Sequence, residues 1–394
     1  MKRLFLLILT LLLTSGLVAA QEQSGYDIAL ERIEAARVSG ATELDLRWLG
    51  LEILPPELFQ LSNLTGLNVG GNQLIVLPPE IGQLTNLTIL YANINRLTSL
   101  PPELFQLNNL TNLNVSRNLL TSLPAEISQL SSLTSLNLYI NQLISLPPEI
   151  GQLSSLTWLY VDHNQLTMLP PEIGQLNSLT VLSVGANRLT NLPLELFQLN
   201  NLTELYVWNN QLTHLPTQIG QFSNLTMLAV GDNQLMSLPA ELFQLNNLTT
   251  LTVVGNHLTS LPAEIDQLSN LTDLLVSYNQ LTSLPAEIGQ LSKLCILDLY
   301  GNDLRYLPTE LGDLTSITEL GCWLAVEGNP LITPPEDVVA QGTPTILEYL
   351  RNQAAMEARQ ITLAIAGMVW LVVAFLLAFR WKTRRPGQKK KRES

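Results

Sequence analysis

LTWLYVDHN (156–164), LTVLSVGAN (179–187) and LTELYVWNN (202–210) superpose without a gap: they agree at positions one, two, four, six and nine and differ at three, five, seven and eight. They are 23 residues apart, and the interval continues in both directions. Leu-Pro recurs at it twelve times from Leu54 to Leu307, and Asn eleven times from Asn72 to Asn302, too often in register for chance. A stretch L-x-[LV] with alternating burial makes one short strand, which cannot bury its apolar edge alone. Parallel copies stacked about 4.8 Å apart share a continuous leucine core. The constant letters are therefore core. The drifting third, fifth and seventh positions point out of the opposite face, and the eighth lies at its rim. The repeated Asn falls at the turn leaving the strand, where its amide can bond backbone groups of its own and the neighbouring coil.

The full unit, L-x-x-L-x-[LV]-x-x-N-x-L-x-x-L-P-x-E-[IL]-x-x-L, resembles the leucine-rich repeat, whose period lies between about 20 and 29 residues. The resemblance covers residues 41–335. It implies an α/β solenoid: a horseshoe with a parallel β-sheet on the concave face and short helical or 3₁₀ turns on the convex face. LPPEIGQL resembles the 23-residue class of plant intracellular Ras-group-related and bacterial Roco-type proteins. GNPLITPPEDVVAQGTPTILEYLR is similar to the segment that closes the repeats of Roco proteins before their GTPase. No G-x-x-x-x-G-K-[ST] follows, so nucleotide binding is not carried over. On the convex side Pro suits the first helical position and Glu the position after it. That Glu recurs from Glu57 to Glu310 with Gln218 as the one break, a stripe read as helix-start electrostatics on a solvated face in preference to a cation or basic-partner surface.

The formal net charge of −13 hides an asymmetry, because positions 4–379 hold ten basic against 32 acidic residues. A nucleic-acid partner for that region is not expected on charge. MKRLFLLILTLLLTSGLVAA (1–20) reads as a secretory signal peptide cut before Gln21, or failing cleavage as a short anchor; no Cys follows the cut, so lipoprotein processing is not indicated. Residues 21–40 supply an amphipathic N-terminal capping helix, followed by a degenerate first repeat with Leu49 in place of Asn. Residues 336–360 form a helical C-terminal cap and juxtamembrane helix, and no Gly or Pro interrupts 345–366. ITLAIAGMVWLVVAFLLAF (361–379) carries no charge and is long enough to cross a bilayer. The tail 380–394, with eight bases and one acid, holds the C-terminus in the cytoplasm by the positive-inside rule and leaves the repeats outside, anchored by a single pass.

Most outward positions are small or polar, among them Gly66, Asn68, Asn112, Asn114, Ser135, Asn137, Thr250 and Thr252. Against them Tyr139, Trp158, Tyr160, Tyr206 and Trp208 fall within four consecutive repeats. Between the aromatic pairs lies a repeat with Val181, Ser183 and Gly185. Walls about 10 Å apart over that low floor predict a slot for a flat group or one sugar ring, with Asp162, His163, Glu204 and Asn209 at its margin. The competing reading is a scatter of unrelated surface aromatics. His163, His214 and His257 occupy different repeat positions, and no His or Cys pair has metal-ligand spacing, so neither a metal nor another cofactor is expected. No nucleophile elbow or glycine-rich loop is present, and an enzyme is not expected. The seven N-L-T tripeptides and Asn114-Val115-Ser116 match the glycosylation acceptor pattern, but they follow from the repeat itself.

Two classes remain: a surface-anchored recognition protein whose concave face binds a protein, peptide or glycan, and a membrane-tethered scaffold or spacer packing through Gly367 and Trp370. The two cysteines bear on the last repeat. Cys295 replaces the Thr of position two, and the next Asn, Asn329, comes 27 residues after Asn302. If the four extra residues precede the strand, GCWLAVEGN (321–329) aligns with LTWLYVDHN, Cys322 lies beside Cys295, and an extracytoplasmic disulfide is within reach. If they follow it, Cys322 is four positions along, roughly 13 Å away, and no bond forms. The first register is preferred because it puts Leu324 and Val326 inward.

Overall fold

The computed structural model describes residues 24–383. The signal peptide expected over 1–20 and most of the basic tail expected over 380–394 lie outside the described residues. The chain divides into two compact units, one ending at Val253 and the other beginning at Val254.

The first unit opens with helix α1 (Gly25–Ser39). Its start is capped by the Ser24 hydroxyl, which accepts the Asp27 N–H at 3.2 Å, and it ends on Gly40 in the left-handed region. Ala29, Ile33 and Ala36 are its buried face. Ten three-residue strands follow: β1 (Glu43–Asp45), β2 (Gly66–Asn68), β3 (Ile89–Tyr91), β4 (Asn112–Asn114), β5 (Ser135–Asn137), β6 (Trp158–Tyr160), β7 (Val181–Ser183), β8 (Glu204–Tyr206), β9 (Met227–Ala229) and β10 (Thr250–Thr252). Each pairs in parallel with the next, offset by the repeat length, so Leu159 lies opposite Leu182 and Leu182 opposite Leu205. The central Leu of every strand is buried, as is the apolar residue two places on. The expected inward and outward phase therefore holds, and the fold is a parallel-sheet leucine-rich solenoid.

Each coil returns through a five-residue 3₁₀ turn such as Pro148–Gln152. Proline at the first position loses no hydrogen bond there, and Glu149 beside it faces the positive end of the turn. Successive turns pack so closely that a Cβ on Gly151 would meet the Glu172 carbonyl oxygen at 2.4 Å. The asparagines join the coils as the sequence implied. Asn164 Oδ1 accepts the Leu143 N–H of the preceding coil at 2.9 Å, while its Nδ2 donates to the carbonyls of Leu138 at 3.1 Å and Val161 at 3.0 Å. A second ladder comes from position two, where Thr157 Oγ1 donates to the Thr134 carbonyl at 2.8 Å.

In the second unit β11 (Asp273–Leu275), β12 (Ile296–Asp298) and β13 (Trp323–Ala325) pair in the same parallel manner. Ile296 lies opposite Trp323, so the four extra residues precede β13, where a 3₁₀ turn at Ser316–Thr318 takes them up. Cys295 and Cys322 form a disulfide with Cα atoms 4.7 Å apart. Helix α2 (Glu336–Val339) leads to α3 (Thr343–Thr383), 41 residues without interruption. The first turns of α3 bury Ile346, Leu347 and Leu350, and Arg351 donates to the Gly312 carbonyl at 2.6 Å, which closes the apolar end of the last coil. Beyond them the helix is exposed, and this stretch is long and apolar enough to cross a membrane.

Candidate functional site

Trp158, Tyr160 and Tyr206 stand on the open face of β6 and β8, with Tyr139 and Trp208 two residues beyond β5 and β8, but they do not enclose a slot. Trp158 is 44% exposed beside the fully buried Leu159, as the strand phase requires. Val181 and Ser183, expected as an accessible floor, are each only 7% exposed, and Gly185 is also buried. The cause is the small size of those residues: with no side chain at Gly185, the Trp208 indole lies across it, and a Cβ there would meet ring atoms at 2.4 Å. The larger neighbours lean into the space that β7 leaves, so the walls close into a pavement.

One edge of this pavement is a continuous row of rings. Trp208 meets His163 edge-on with centroids 5.3 Å apart, and His163 meets Tyr139 in the same manner at 5.2 Å. The Arg117 guanidinium lies 5.8 Å from the Tyr139 ring centre, a cation–π distance. His163 and Arg117 both occupy position eight, and both have positive φ, 53° and 53°. All thirteen residues at that position are left-handed, nine of them not glycine. The coil geometry thus aims every position-eight side chain in the same way. Arg117 was not singled out from the sequence; its place in the same register as His163 was the available clue.

The other edge is polar. Tyr206 donates its hydroxyl to Glu204 Oε2 at 2.8 Å. Burial pushes the Tyr206 phenol up to about 12, helped by the hydrogen bond and charge of Glu204. Tyr160 is raised as well, by burial first and then by the charges of Glu204 and Asp162. Both phenols are therefore neutral hydrogen-bond donors at any ordinary pH. Asp162, expected at the margin, is instead buried: it accepts from Ser183 Oγ at 2.5 Å and from the Gly185 N–H at 2.9 Å. Burial raises its carboxyl above the usual range, although those two bonds pull the other way. Asp162 and Ser183 pin β6 to β7 beneath the rings. Asn209 is exposed at the rim. The N-L-T asparagines also have a structural use: Asn86, Asn109, Asn201, Asn224 and Asn247 each donate to a carbonyl of the preceding coil. Chemically the surface offers flat rings, an imidazole, the phenol donor of Tyr160 and the Glu204 carboxylate, which already accepts from Tyr206.

Comparison with known proteins agrees with this architecture. Family models described as "Leucine-rich repeat region" and "Leucine rich repeat" match residues 98–207 and 200–258. No curated protein matches the chain in sequence. Among solved structures, a leucine-rich repeat protein of Leptospira interrogans is 36% identical, with a TM-score of 0.54, over 80% of this chain and 97% of that one. A TDR receptor is 31% identical, with a TM-score of 0.67, over 74% of this chain and 52% of that one. The plant peptide hormone receptor RGFR1, solved in complex with RGF2, is 27% identical, with a TM-score of 0.52, over 71% of this chain and 53% of that one. With the repeat, the solenoid and a 36% identical relative matched along nearly its whole length, the chain belongs to the leucine-rich repeat proteins.

Proposed function

We propose that this chain is a membrane-anchored recognition protein, its repeats outside the cytoplasm and its C-terminus inside, which binds a protein or peptide through the aromatic pavement of the β5 to β8 coils. The observation that carries the reading is the run of interlocked side chains Arg117, Tyr139, His163 and Trp208 beside the exposed Trp158. Large rings held rigid by their neighbours lose little entropy on binding, which is why such residues dominate recognition energies. Tyr160, Tyr206 and Glu204 complete the surface, and Asp162 and Ser183 support it from below. A receptor of the same fold class, RGFR1, was solved with RGF2, which makes a peptide a reasonable first ligand class. A glycan is the second. The repeats are of the 23-residue class shared by Ras-group-related and Roco-type proteins.

The anchor is the apolar run of α3, oriented by the basic tail and the N-terminal signal sequence. Protease added to intact cells, or to spheroplasts where there is an outer membrane, digests the repeats and spares a tag placed after Ser394; the reverse pattern overturns the orientation. The recognition reading is tested by offering surface-protein extracts and a glycan array to the full chain and to the double variant Trp158→Ala, Trp208→Ala. Both side chains point away from the core, so the variant folds and loses more than ~2 kcal/mol of binding, the loss expected when hot-spot side chains are removed. Undiminished capture that is instead abolished by changes at Gly367 and Trp370 favours the scaffold reading, for which the exposed, unpartnered apolar face of α3 is the supporting feature.

A further inference from the structure

A second patch of different chemistry lies on the open face of β2 to β5. Asn68, Asn112, Asn114 and Asn137 belong to these strands, and Asn93 follows β3 by two residues. Three of them share one arrangement: the Oδ1 atoms of Asn68, Asn114 and Asn137 each accept the backbone N–H two residues on, from Gly70, Ser116 and Tyr139, all at 3.0 Å. That bond fixes which end of the amide is occupied. The NH₂ groups left over have no protein partner among the described residues, and none is buried. Strand spacing sets them at intervals of about 4.8 Å or twice that. Asn93 and Asn112 keep both amide ends free for a ligand, and Tyr91 sits between Asn68 and Asn114 in the same register.

These residues line a cavity of about 350 Å³, and a neighbouring cavity of about 380 Å³ shares Asn68 and Tyr91 and extends towards β1. The one charged group in the first cavity, Arg47, is already paired with Asp45 at 2.8 Å. The floor is thus neutral, rich in donors, able to accept as well, and has a single ring. A protein partner needs apolar anchor pockets, which this floor lacks apart from Tyr91. An anionic ligand needs unpaired cations, and there are none in this set. A neutral sugar chain fits both features: its hydroxyls and ring oxygens accept from the amides and donate back, and the apolar face of a pyranose stacks on a ring.

We propose that β2 to β5 carry a binding site for a neutral oligosaccharide, which adjoins the aromatic pavement where Asn137 holds the Tyr139 N–H and makes no use of Trp158 or Trp208. The test uses the full chain in detergent micelles on an array of glucan, mannan and N-acetylhexosamine oligomers printed beside sulfated and sialylated counterparts. Neutral oligomers bind. Asn112→Ala and Tyr91→Ala each weaken that binding roughly three- to ten-fold, the loss of one polar or stacking contact. Tyr91→Phe retains it, and Trp158→Ala with Trp208→Ala leaves it unchanged, which keeps the fate of this site apart from that of the pavement. Circular dichroism checks that each variant is folded; should Tyr91→Ala unfold, Asn112→Ala alone decides. Absence of any neutral binder, binding confined to the charged oligomers, a peptide that binds in an Asn112-dependent manner in place of sugar, or indifference to Asn112→Ala overturns the proposal.

Discussion

Replacing Asn187 by alanine measures how much the asparagine ladder holds. The side chain is 8% exposed and satisfies groups in two coils. Its Oδ1 accepts the Leu166 N–H at 3.0 Å, and its Nδ2 donates to the carbonyls of Val161 and Val184, both at 3.0 Å. Alanine leaves the Leu166 N–H in the interior without a partner, whereas the Val161 and Val184 carbonyls each keep a second amide donor, from Asn164 and Asn210. One stranded group costs about 1–3 kcal/mol, and a loss in that range is expected. Urea titration followed by tryptophan fluorescence gives the value from the shift in midpoint. Asn187→Asp is the sharper probe: it keeps an acceptor for Leu166 but turns the donor into a second oxygen facing two carbonyls, and costs at least as much near neutral pH. Asn112→Ala is the control, since that amide makes no protein bond and its removal costs less than about 0.5 kcal/mol. If Asn187→Ala costs no more than Asn112→Ala, the inter-coil amide bonds contribute nothing net and the account of the ladder is wrong.

Three further outcomes follow from the same geometry. Ile140 is a β-branched residue held at φ 51°, so Ile140→Gly relieves strain of about 1–3 kcal/mol against a chain-entropy cost of about 0.5–1 kcal/mol, and a net gain near 1 kcal/mol is expected in the same titration. Gly185→Ala places a methyl where the Trp208 indole lies, so the ring leaves β7 without loss of the fold, and near-ultraviolet circular dichroism of tryptophan changes while the far-ultraviolet signal does not. The Tyr206 phenol is raised from 10.0 to about 12, so the stability it contributes is fully present below pH 10 and is lost as the pH climbs towards 12. Absorbance titration of tyrosinate finds Tyr206 ionising late, with Tyr160 also raised, and Glu204→Gln moves Tyr206 part of the way back, because burial is the larger cause.

Most of the solenoid could be read from the letters because its constraints repeat. A position that must be buried in one coil must be buried in all, so thirteen weak strand indications add up to one strong statement about phase. The asparagine followed for the same reason, since a buried amide recurring at a turn has to serve two coils. The last repeat rested on a weaker argument, because its irregular spacing has no second copy. Its four extra residues could be fitted before or after the strand, the inward places of Leu324 and Val326 favoured the first, and the pairing of Ile296 with Trp323 bears that out, with Cys322 beside Cys295. The open slot escaped the logic of repetition. Strand alternation says which face Trp208 occupies but not which way it leans, and the indole settled into the space above Gly185 that the sequence suggested was vacant.

The drifting positions are in fact of two kinds. At the third and fifth the strand imposes little, and residues from Gly66 to Trp158 are accepted there. At the eighth the backbone is fixed by the next coil: the Ile140 N–H donates to the Asp162 carbonyl at 3.0 Å and the His163 N–H to the Gly185 carbonyl at 2.9 Å, and both residues are left-handed in consequence. Glycine would be the least strained choice at all thirteen sites, yet it occupies four. Each non-glycine residue there carries a conformational cost in return for a side chain projecting from the rim at a defined angle. Where those side chains are His163 and Arg117, the strain accompanies the ring row that defines the proposed recognition surface. His163→Gly therefore separates the two roles: it stabilises the coil while removing the central ring of the row, and binding of the partner falls as stability rises.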